Sequence, residues 1–311
     1  MRRPRLSVVI PTYRRDDSVA RLLGAIARQD RDGIEVVLVD QNRPGFLEER
    51  IAPALAGVVH VRLETPNAST ARNLGFARST GERVLFVDDD VVPTPELCGR
   101  ALDRMDDRPD VGCLCPVVVD ADKTEAEALD LLRPMKLRDH PADPALWELR
   151  ATISAALFFE REYFRRTGGF DEVLFAFART GEDQELCMRM RARGLSLWLD
   201  PSLTVAHDHR VPGGCELRDD DWWTARRRCI QSWTLRARGH AARPGHLDAR
   251  DLLGVGRSAF LNRGLVTRPL GEAARNARML LAALVESRTA FAGYPAPHPG
   301  VLAVDHLARH L

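Results

Sequence analysis

The sequence contains no apolar run approaching the roughly 20 residues that a membrane-spanning helix requires. It also lacks a strong excess of either charge. The formal net charge is +1, which provides no general attraction to nucleic acid or to an anionic membrane. Internal repeats and low-complexity tracts are absent. We therefore expect a globular chain that has no nucleic-acid partner and makes at most peripheral contact with membranes.

Cysteine pairs with metal-binding spacing are lacking too. The 6 cysteines are scattered, and Cys113 and Cys115 lie in an apolar stretch that is typical of a strand. The basic N-terminus is followed by only a short apolar run, which ends at Pro11. We expect reduced cysteines, no signal peptide and a cytoplasmic location.

What the sequence does contain is a regular alternation of short apolar strands and helices in its first hundred residues. The predicted strands cover residues 6–10, 34–39, 58–63 and 84–87. Such alternation is typical of a parallel sheet that helices cover on both faces. Ligands bind outside the carboxyl ends of the strands in such sheets. The positions of Tyr13, Asp40 and Asp88–Asp90 at those ends therefore predict a polar ligand site.

Three consecutive carboxylates, Asp88–Asp90, follow the fourth of these strands. Packing does not require such a cluster, because two unit charges about 4 Å apart repel by about 4 kcal/mol at an effective dielectric of about 20. The cluster therefore needs water, basic partners or a cation. In an extended stretch Asp88 and Asp90 point the same way, and Mg²⁺ and Mn²⁺ prefer oxygen ligands. A solvated acidic turn before Val91 is the alternative, and the triplet alone does not decide between the two.

The middle of the chain is less regular. Residues 120–149 are charged and interrupted by prolines, so we expect an irregular excursion with a short helix near residues 124–132. Residues 195–199 and 203–206 are predicted as two strands, the second ending at His207.

From residue 212 onward the pattern becomes helical and rich in arginine. Trp222 and Trp223 lie among these arginines. The pair is consistent with contact to a membrane surface or to a lipid-linked acceptor. We favour the alternative that the tryptophans anchor this region to the α/β part of the chain. An amphipathic helix is predicted from Leu270 to Val285. The residues expected near one face of it are Ala274, Ala277, Leu281 and Leu284. We interpret the region as a helical extension, packed on the α/β part or flexibly joined to it.

A series of short motifs, each weak alone, resembles in its order the nucleotide-sugar-dependent glycosyltransferases of family 2, which have the GT-A fold. The matching segments are Ser7–Arg14, Val39–Asp40, Ala71–Gly75, Phe86–Asp90, Gly168–Asp171, Gly181–Leu186 with Arg189, and Val205–His207. The resemblance implies an α/β fold with a Rossmann-like, mostly parallel sheet flanked by helices. It places a GT-A catalytic domain at 1–211, with nucleotide-sugar binding over about 1–119 and the acceptor side over about 120–211, followed by the extension at 212–311.

The resemblance also implies roles for individual residues. Pro11, Thr12 and Tyr13 would line the nucleobase pocket, Asp40 would bond the base edge, and Arg72 would reach the nucleotide or its phosphates. Asp88, Asp89, Gly169 and Glu182 would complete the substrate site. Asp90 and His207 would hold a divalent metal, Mn²⁺ or Mg²⁺, and Asp183 would be the catalytic base. Gln41-Asn42 replaces the Asp-Gly-Ser that follows the first Asp in many members, so the motif does not fix the nucleotide.

Structural interpretations of the same residues stay open at this point. Thr180-x-x-Asp183 matches a helix capping box, in which Asp183 would only stabilise the helix start. His209 is an alternative to His207 as the metal ligand. Arg72 is equally consistent with a solvated helix position, and Asp40 with a turn that ends a strand.

The chemistry nevertheless suits the family. A metal neutralises the charge that develops on a departing diphosphate, and a carboxylate accepts the proton of the attacking hydroxyl. We therefore predict an inverting glycosyltransferase that uses a nucleotide-diphosphate sugar, with UDP favoured. The hydroxyl acceptor is a saccharide, a lipid-linked compound or a small metabolite. The alternatives are a metal-dependent nucleotidyltransferase and a non-catalytic nucleotide-sugar-binding module.

Overall fold

A computed structural model describes residues 3–30, 32–208, 210–214, 221–261 and 263–292. These residues form two compact units. The first unit comprises residues 3–170 and 196–214, and the second comprises 171–195 and 221–292. Residues 171–195 thus group with the C-terminal helices, whereas the functional division at residue 211 remains a prediction.

All strands of the described residues belong to one ten-stranded sheet in the first unit. They are β1 (Leu6–Thr12), β2 (Ile34–Asp40), β3 (Val59–Arg62), β4 (Arg83–Val87), β5 (Val91–Pro93), β6 (Cys113–Asp120), β7 (Lys136–His140), β8 (Asp143–Leu149), β9 (Ala156–Glu160) and β10 (Trp198–His207). The helices of the first unit are α1 (Asp16–Ala27), α2 (Glu48–Ile51), α3 (Ala68–Arg78), α4 (Leu97–Asp107), α5 (Glu125–Leu132) and α6 (Arg161–Thr167), with single 3-10 turns at Ala52–Leu55 and Arg133–Met135. The second unit contains α7 (Glu172–Ala178), α8 (Glu182–Ala192), α9 (Trp222–Ala242), α10 (Ala249–Phe260), α11 (Arg263–Thr267) and α12 (Pro269–Ala292).

The strand order is β3-β2-β1-β4-β9-β6-β10-β8-β7, with β5 paired to β10. From β3 to β10 only β9 runs antiparallel to its neighbours, so the predicted mostly parallel central sheet is confirmed. Every residue of β1 is buried, as expected for a strand that helices cover on both faces. The strand also continues through Pro11 and Thr12, which were predicted as a loop. Pairing with β4 ends at Val9, so this proline is paired on one side only.

The excursion after β6 is more ordered than predicted. The expected short helix is present as α5, and Thr124 and Glu127 form a capping box at its start. The remainder is not irregular, because β7 and β8 form an antiparallel hairpin. Pro141 lies in the turn of this hairpin and Pro144 near the start of β8, two positions that tolerate a missing N–H.

The two strands predicted near residues 195–206 are a single strand, β10. Its register with β6 shifts between Leu199 and Thr204, so the expected interruption is a bulge inside one strand. Because β10 continues to His207, its end reaches the same edge of the sheet as the ends of β4 and β6.

The second unit is built around α9, which packs against α7, α10 and α12. Trp233 of α9 stacks edge-on against Phe260 and donates a hydrogen bond to the carbonyl of Leu252 at 3.1 Å. The amphipathic helix predicted from Leu270 is present as α12. Ala274, Ala277 and Leu281 are exposed, and a more polar face packs inward.

No helix in the described ranges combines the length and the apolar character needed to cross a bilayer.

A histidine beside a buried ion pair makes the stability of the second unit depend on pH. Glu185 and Arg189 are both buried and bond at 2.6 and 2.8 Å, and His246 Nε2 lies 3.8 Å from Glu185 Oε1. Burial, together with repulsion from Arg189 and two further arginines, lowers the pKa of His246 to about 4, against the attraction of Glu185. The imidazole is therefore neutral in the folded chain at a pH where the unfolded chain carries a proton on it.

We predict that His246→Gln reduces the loss of stability on acidification. Between pH about 6.5 and 4 the unfolded wild-type chain binds a proton that the folded chain does not. Wild-type stability therefore falls as the pH falls, by about 3 kcal/mol from this residue. Glutamine does not titrate, so the variant should lose correspondingly less. Urea unfolding at pH 7.5 and pH 4.5 measures the difference, and an equal loss in both proteins would contradict the assignment.

Candidate functional site

The triplet Asp88–Asp90 forms a tight turn between β4 and β5, closed by a hydrogen bond from Val91 N to Asp88 O at 3.2 Å. The turn is not solvated, because Asp89 and Asp90 are buried. It also overturns the expectation that Asp88 and Asp90 point the same way, since the segment is not extended. Asp89 and Asp90 share one partner, whereas Asp88 faces another.

The shared partner is Arg15, which the sequence analysis did not identify. Its Nη1 donates to Asp89 Oδ1 at 2.8 Å and to Asp90 Oδ2 at 2.7 Å, and its side chain is 5% exposed. Its Nη2 donates to the carbonyls of Val211 and Gly213, both at 3.2 Å. One guanidinium thus bridges two buried carboxylates and also contacts the segment that follows β10.

His207 reaches Asp90 because of the register of β10. It pairs with Val91 of β5 on one side and with Asp120 of β6 on the other. As a result Nε2 lies 3.4 Å from Asp90 Oδ1 and Nδ1 lies 3.0 Å from Asp120 Oδ1. Asp120 is itself bonded by Lys123 at 2.9 Å. A carboxylate on the far nitrogen is the arrangement that commonly orients a metal-binding histidine.

Burial and charge act against each other in this cluster. Burial raises the pKa of Asp89 to about 6, and Asp90 adds to the rise, although Arg15 opposes it. Burial disfavours the charged form of His207, but its bonds to Asp90 and Asp120 outweigh this and raise its pKa to about 9. The cluster therefore contains a protonated imidazole as a second counter-charge.

Asp88 pairs with Arg72, whose Nη2 donates to Asp88 Oδ1 at 2.7 Å. Arg72 is buried, so the solvated-residue alternative is wrong. It is brought there because α3 lies directly on the sheet. A Cβ on Gly75, one turn later, would come 2.3 Å from Val9 Cγ1 and 3.1 Å from Val39 Cγ2, so only glycine permits this approach.

The glycine pair of the Gly168–Asp171 motif is fixed against the same helix. Asn73 donates to Phe170 O and accepts from Phe170 N, both at 2.9 Å. The Phe170 ring lies 5.1 Å from the Arg72 guanidinium carbon. Gly169 has φ +74° and is buried. The motif therefore packs Phe170 against the arginine that pairs with Asp88. The predicted role of Gly169 toward a substrate stays a prediction.

The end of β1 joins this cluster through Thr12, whose Oγ1 donates to Asp89 Oδ2 at 2.7 Å. Pro11 is buried, whereas Tyr13 is half-buried, and the Tyr13 carbonyl accepts from Gly214 N at 2.8 Å. The end of β1 and the segment after β10 are thus tied together at two points, here and through Arg15.

Asp40 lies one strand away and is fully buried. Its Oδ1 accepts from Asn42 N at 2.9 Å and from Asn42 Nδ2 at 2.7 Å. Its Oδ2 lies 3.1 Å from His60 Nε2 and 3.3 Å from Arg62 Nη1. The carboxylate therefore closes an Asx-type turn, the structural alternative weighed for it, and its contact with a base stays a prediction.

Glu182 and Asp183 lie in the first turn of α8, in the second unit. The helix is capped at Gly181, which has φ +86°, and not at Thr180. The capping box weighed as a structural alternative for Asp183 therefore does not form. Glu182 is buried, and Asp183 is half-buried, with its Oδ1 accepting from Gln184 N at 2.6 Å. His209, the alternative metal ligand, lies outside the described residues.

The residues fit a divalent cation that takes only one or two of its ligands from the protein. Within the described ranges, no group of three or more His, Cys, Asp or Glu side chains is placed to hold a metal by itself. Asp90 and His207 nevertheless present an oxygen and a nitrogen 3.4 Å apart. Cations that act on phosphates are commonly held by one or two protein groups, with the phosphates and water as the remaining ligands. The pair suits that mode and does not suit an all-protein cage.

Sequence reasoning missed Arg15 and Asp120 as members of this site. Arginine is abundant throughout the chain, so Arg15 gave no signal by composition. Its position was informative, because it follows a strand end that was already expected to hold a ligand. Asp120 follows Val119 at the end of β6, as Asp40 follows Val39 at the end of β2, and the same rule would have found it.

Comparison with known proteins identifies the family. The profile of a family described as "Glycosyl transferase family 2" matches residues 7–168, more than half of the chain. The chain belongs to glycosyl transferase family 2. The matched part of this family 2 chain covers β1 to α6 and ends before Asp183.

A curated relative of this family 2 chain is the "Pre-mycofactocin glycosyltransferase" of Mycobacterium tuberculosis. It is 30% identical over 234 residues, which are 71% of this chain and 45% of the relative. The chain therefore spans about half the length of this curated relative.

Solved structures share the fold. The Mannosyltransferase PcManGT from Pyrobaculum calidifontis, in complex with GDP-Man and Mn²⁺, aligns with a TM-score of 0.58 at 20% identity, over 100% of this chain and 80% of that one. TarS 1-349 of S. aureus, in complex with UDP-GlcNAc, aligns with a TM-score of 0.63 at 16% identity, over 92% and 81%. The predicted GT-A fold class is confirmed.

We predict that Arg15→Met destabilises the first unit by about 3 to 5 kcal/mol, because it leaves two buried carboxylates without their shared counter-charge. The neighbouring Arg14→Met is the matched control, since Arg14 is exposed. Urea unfolding at pH 7.5 measures both variants. Equal stability of the two would show that the buried ion pair is not needed to hold the triplet.

Proposed function

We propose that this chain is an inverting glycosyltransferase that moves a sugar from a nucleotide-diphosphate donor, with a UDP-sugar favoured, to an acceptor hydroxyl. The observation that carries the proposal is the position of Asp88–Asp90 at the edge of the sheet, with His207 against Asp90. Buried carboxylates beside an oriented imidazole can hold a cation on a diphosphate, and the sheet alone does not require them.

The nucleoside is proposed to bind at the ends of β1 and β2. Pro11, Thr12 and Tyr13 would line the base pocket, and Asp40 would accept a hydrogen bond from the base edge. Both oxygens of Asp40 already accept hydrogen bonds. A base N–H would therefore take the place of His60 or Arg62 at Oδ2. Discrimination between bases would follow from this exchange, because an unmatched base leaves a buried carboxylate short of a donor.

The diphosphate is proposed to bind beside the triplet. Arg72 would turn from Asp88 toward a phosphate, since a guanidinium binds carboxylate and phosphate by the same geometry. Asp90 and His207 would hold the cation, with Mn²⁺ favoured over Mg²⁺ because of the imidazole nitrogen. When bound, the cation would neutralise the charge that develops on the leaving diphosphate. His207 would give up its proton on binding, and Asp120 would keep its ring oriented.

Proton transfer from the acceptor hydroxyl is assigned to Asp183. Its support is the Gly181–Leu186 motif, in which Asp183 lies in the first turn of α8. Glu182 and Gly169 are proposed to contact the substrates. A single base acting opposite the leaving group gives one displacement at the anomeric carbon, and therefore inversion of its configuration.

The solved neighbours named above support the class of donor and not its base, because one contains GDP-Man and the other UDP-GlcNAc. We predict that, with Mn²⁺ present, UDP raises the melting temperature of the wild type more than GDP does, since a ligand that binds only the folded state stabilises it. Asp90→Asn and His207→Gln should lose the Mn²⁺-dependent part of the shift. Asp107→Asn, at an exposed site on α4, should keep it. A shift that is the same in excess EDTA would count against the metal.

We further predict that Asp183→Asn lowers the transfer rate by about 10² to 10⁴ and leaves binding of the nucleotide and Mn²⁺ intact, because a positioned base acts on the rate and not on donor affinity. Glu172→Gln, in the first turn of α7, is the matched control and should retain activity. The assay pairs UDP-sugars and GDP-sugars with saccharide, lipid-linked and small hydroxyl acceptors and detects the released nucleotide.

Wild-type transfer by Asp183→Asn would rule out this base. Release of pyrophosphate in place of a nucleoside diphosphate would favour the nucleotidyltransferase alternative. Binding of a donor without turnover on any acceptor would favour the non-catalytic module.

A further inference from the structure

The long helix α12 turns an apolar stripe away from the rest of its unit. Leu270, Leu281 and Val285 are 86%, 64% and 64% exposed. Together with Ala274 and Ala277 they lie within a sector of roughly 80° on the helix surface. We call these five residues the outward stripe. Exposed leucines are ordinary one at a time, but an aligned set along a 24-residue helix is not.

The orientation of α12 is fixed by its opposite face. Asn276 Oδ1 accepts from Arg226 Nε at 2.9 Å, and Asn276 Nδ2 donates to Phe260 O at 2.9 Å. Ala283 and Ser287 are buried on the same side. Rolling the helix to bury the outward stripe would break these buried hydrogen bonds, so the exposed stripe is a stable feature of the second unit.

The charges beside the stripe are of one sign. The acids of α12 are Glu272, which is buried, and Glu286, which is half-buried and bonded to α9. The exposed charged residues of α12 are Arg275, Arg278 and Arg288. Although the whole chain has a net charge of only +1, this face is apolar at its centre and cationic at its margins.

We propose that the outward stripe of α12 binds an anionic lipid surface, lying in the plane of the interface. An apolar helix face flanked by arginines matches such a surface in both respects: the leucines enter the acyl boundary, and the guanidinium groups meet the lipid phosphates. Val266 of α11, the helix that precedes α12, is also 85% exposed. A second copy of the chain is a poorer match, because self-association through this stripe brings arginines together without exposed carboxylates from α12.

The test is co-sedimentation of the full chain with vesicles of phosphatidylcholine containing 30% phosphatidylglycerol, and with vesicles of phosphatidylcholine alone. The expected result is binding to the anionic vesicles that weakens with added salt, and at least tenfold weaker binding to the neutral ones. The double variant Leu270→Ser/Leu281→Ser should bind anionic vesicles at least about tenfold more weakly. Leu131→Ser is the matched control, since Leu131 is a 61% exposed leucine on α5, and it should bind as the wild type does.

A second variant removes the charge without touching the leucines. Arg278→Gln/Arg288→Gln should reduce binding to anionic vesicles and flatten its salt dependence, which gives a readout even if the serine variant folds poorly. Failure of the wild type to sediment with anionic vesicles would overturn the proposal. So would equal weakening by Leu131→Ser. Self-association that the double serine variant abolishes, seen by light scattering in the absence of vesicle binding, would assign the stripe to a second copy.

Discussion

Three adjacent carboxylates at the edge of a sheet repel one another, and the first unit is arranged to supply the positive charge they need. Arg15 bridges Asp89 and Asp90, Arg72 pairs with Asp88, and a protonated His207 faces Asp90. A turn that only connects two strands does not need so many buried charged residues. The compensation makes sense if the triplet exchanges part of its internal counter-charge for a cation and a diphosphate during function, which is the basis of the proposed glycosyl transfer.

Sheet topology explains how distant segments meet at the triplet. β1 carries Thr12 and Arg15 to one side, and the antiparallel pairing of β5 with β10 brings His207 next to Asp90 from more than 100 residues away in sequence. Parallel pairing of β10 with β6 then supplies Asp120 to orient the imidazole. The glycine at position 75 lets α3 approach the sheet closely enough for Arg72 to reach Asp88. Each contact depends on strand register, so a shift of one residue would separate the site.

The fold class, the parallel core and the location of a ligand site at the strand ends could all be predicted from the sequence, because they follow from local hydrophobic period and from the order of strands and helices. The partners of individual side chains could not be predicted from the sequence. The turn at Asp88–Asp90 redirects carboxylates that an extended strand would have aligned, and Arg15 gave no signal among so many arginines. The apolar face of α12 was predicted correctly as a pattern, but periodicity does not say that Leu281 faces outward. Buried hydrogen bonds of Asn276 decide that, and they depend on tertiary packing.

The central claim is that the edge of the sheet holds a cation through Asp90 and His207. Electron spin-echo spectroscopy of Mn²⁺ bound in the presence of UDP tests it directly, because a coordinating imidazole couples its nitrogen to the metal electrons. The account predicts one bound Mn²⁺ with a single histidine nitrogen coupling in the wild type, and loss of that coupling in His207→Gln. Mn²⁺ that binds without a nitrogen coupling, or with one that survives in His207→Gln, would contradict the account.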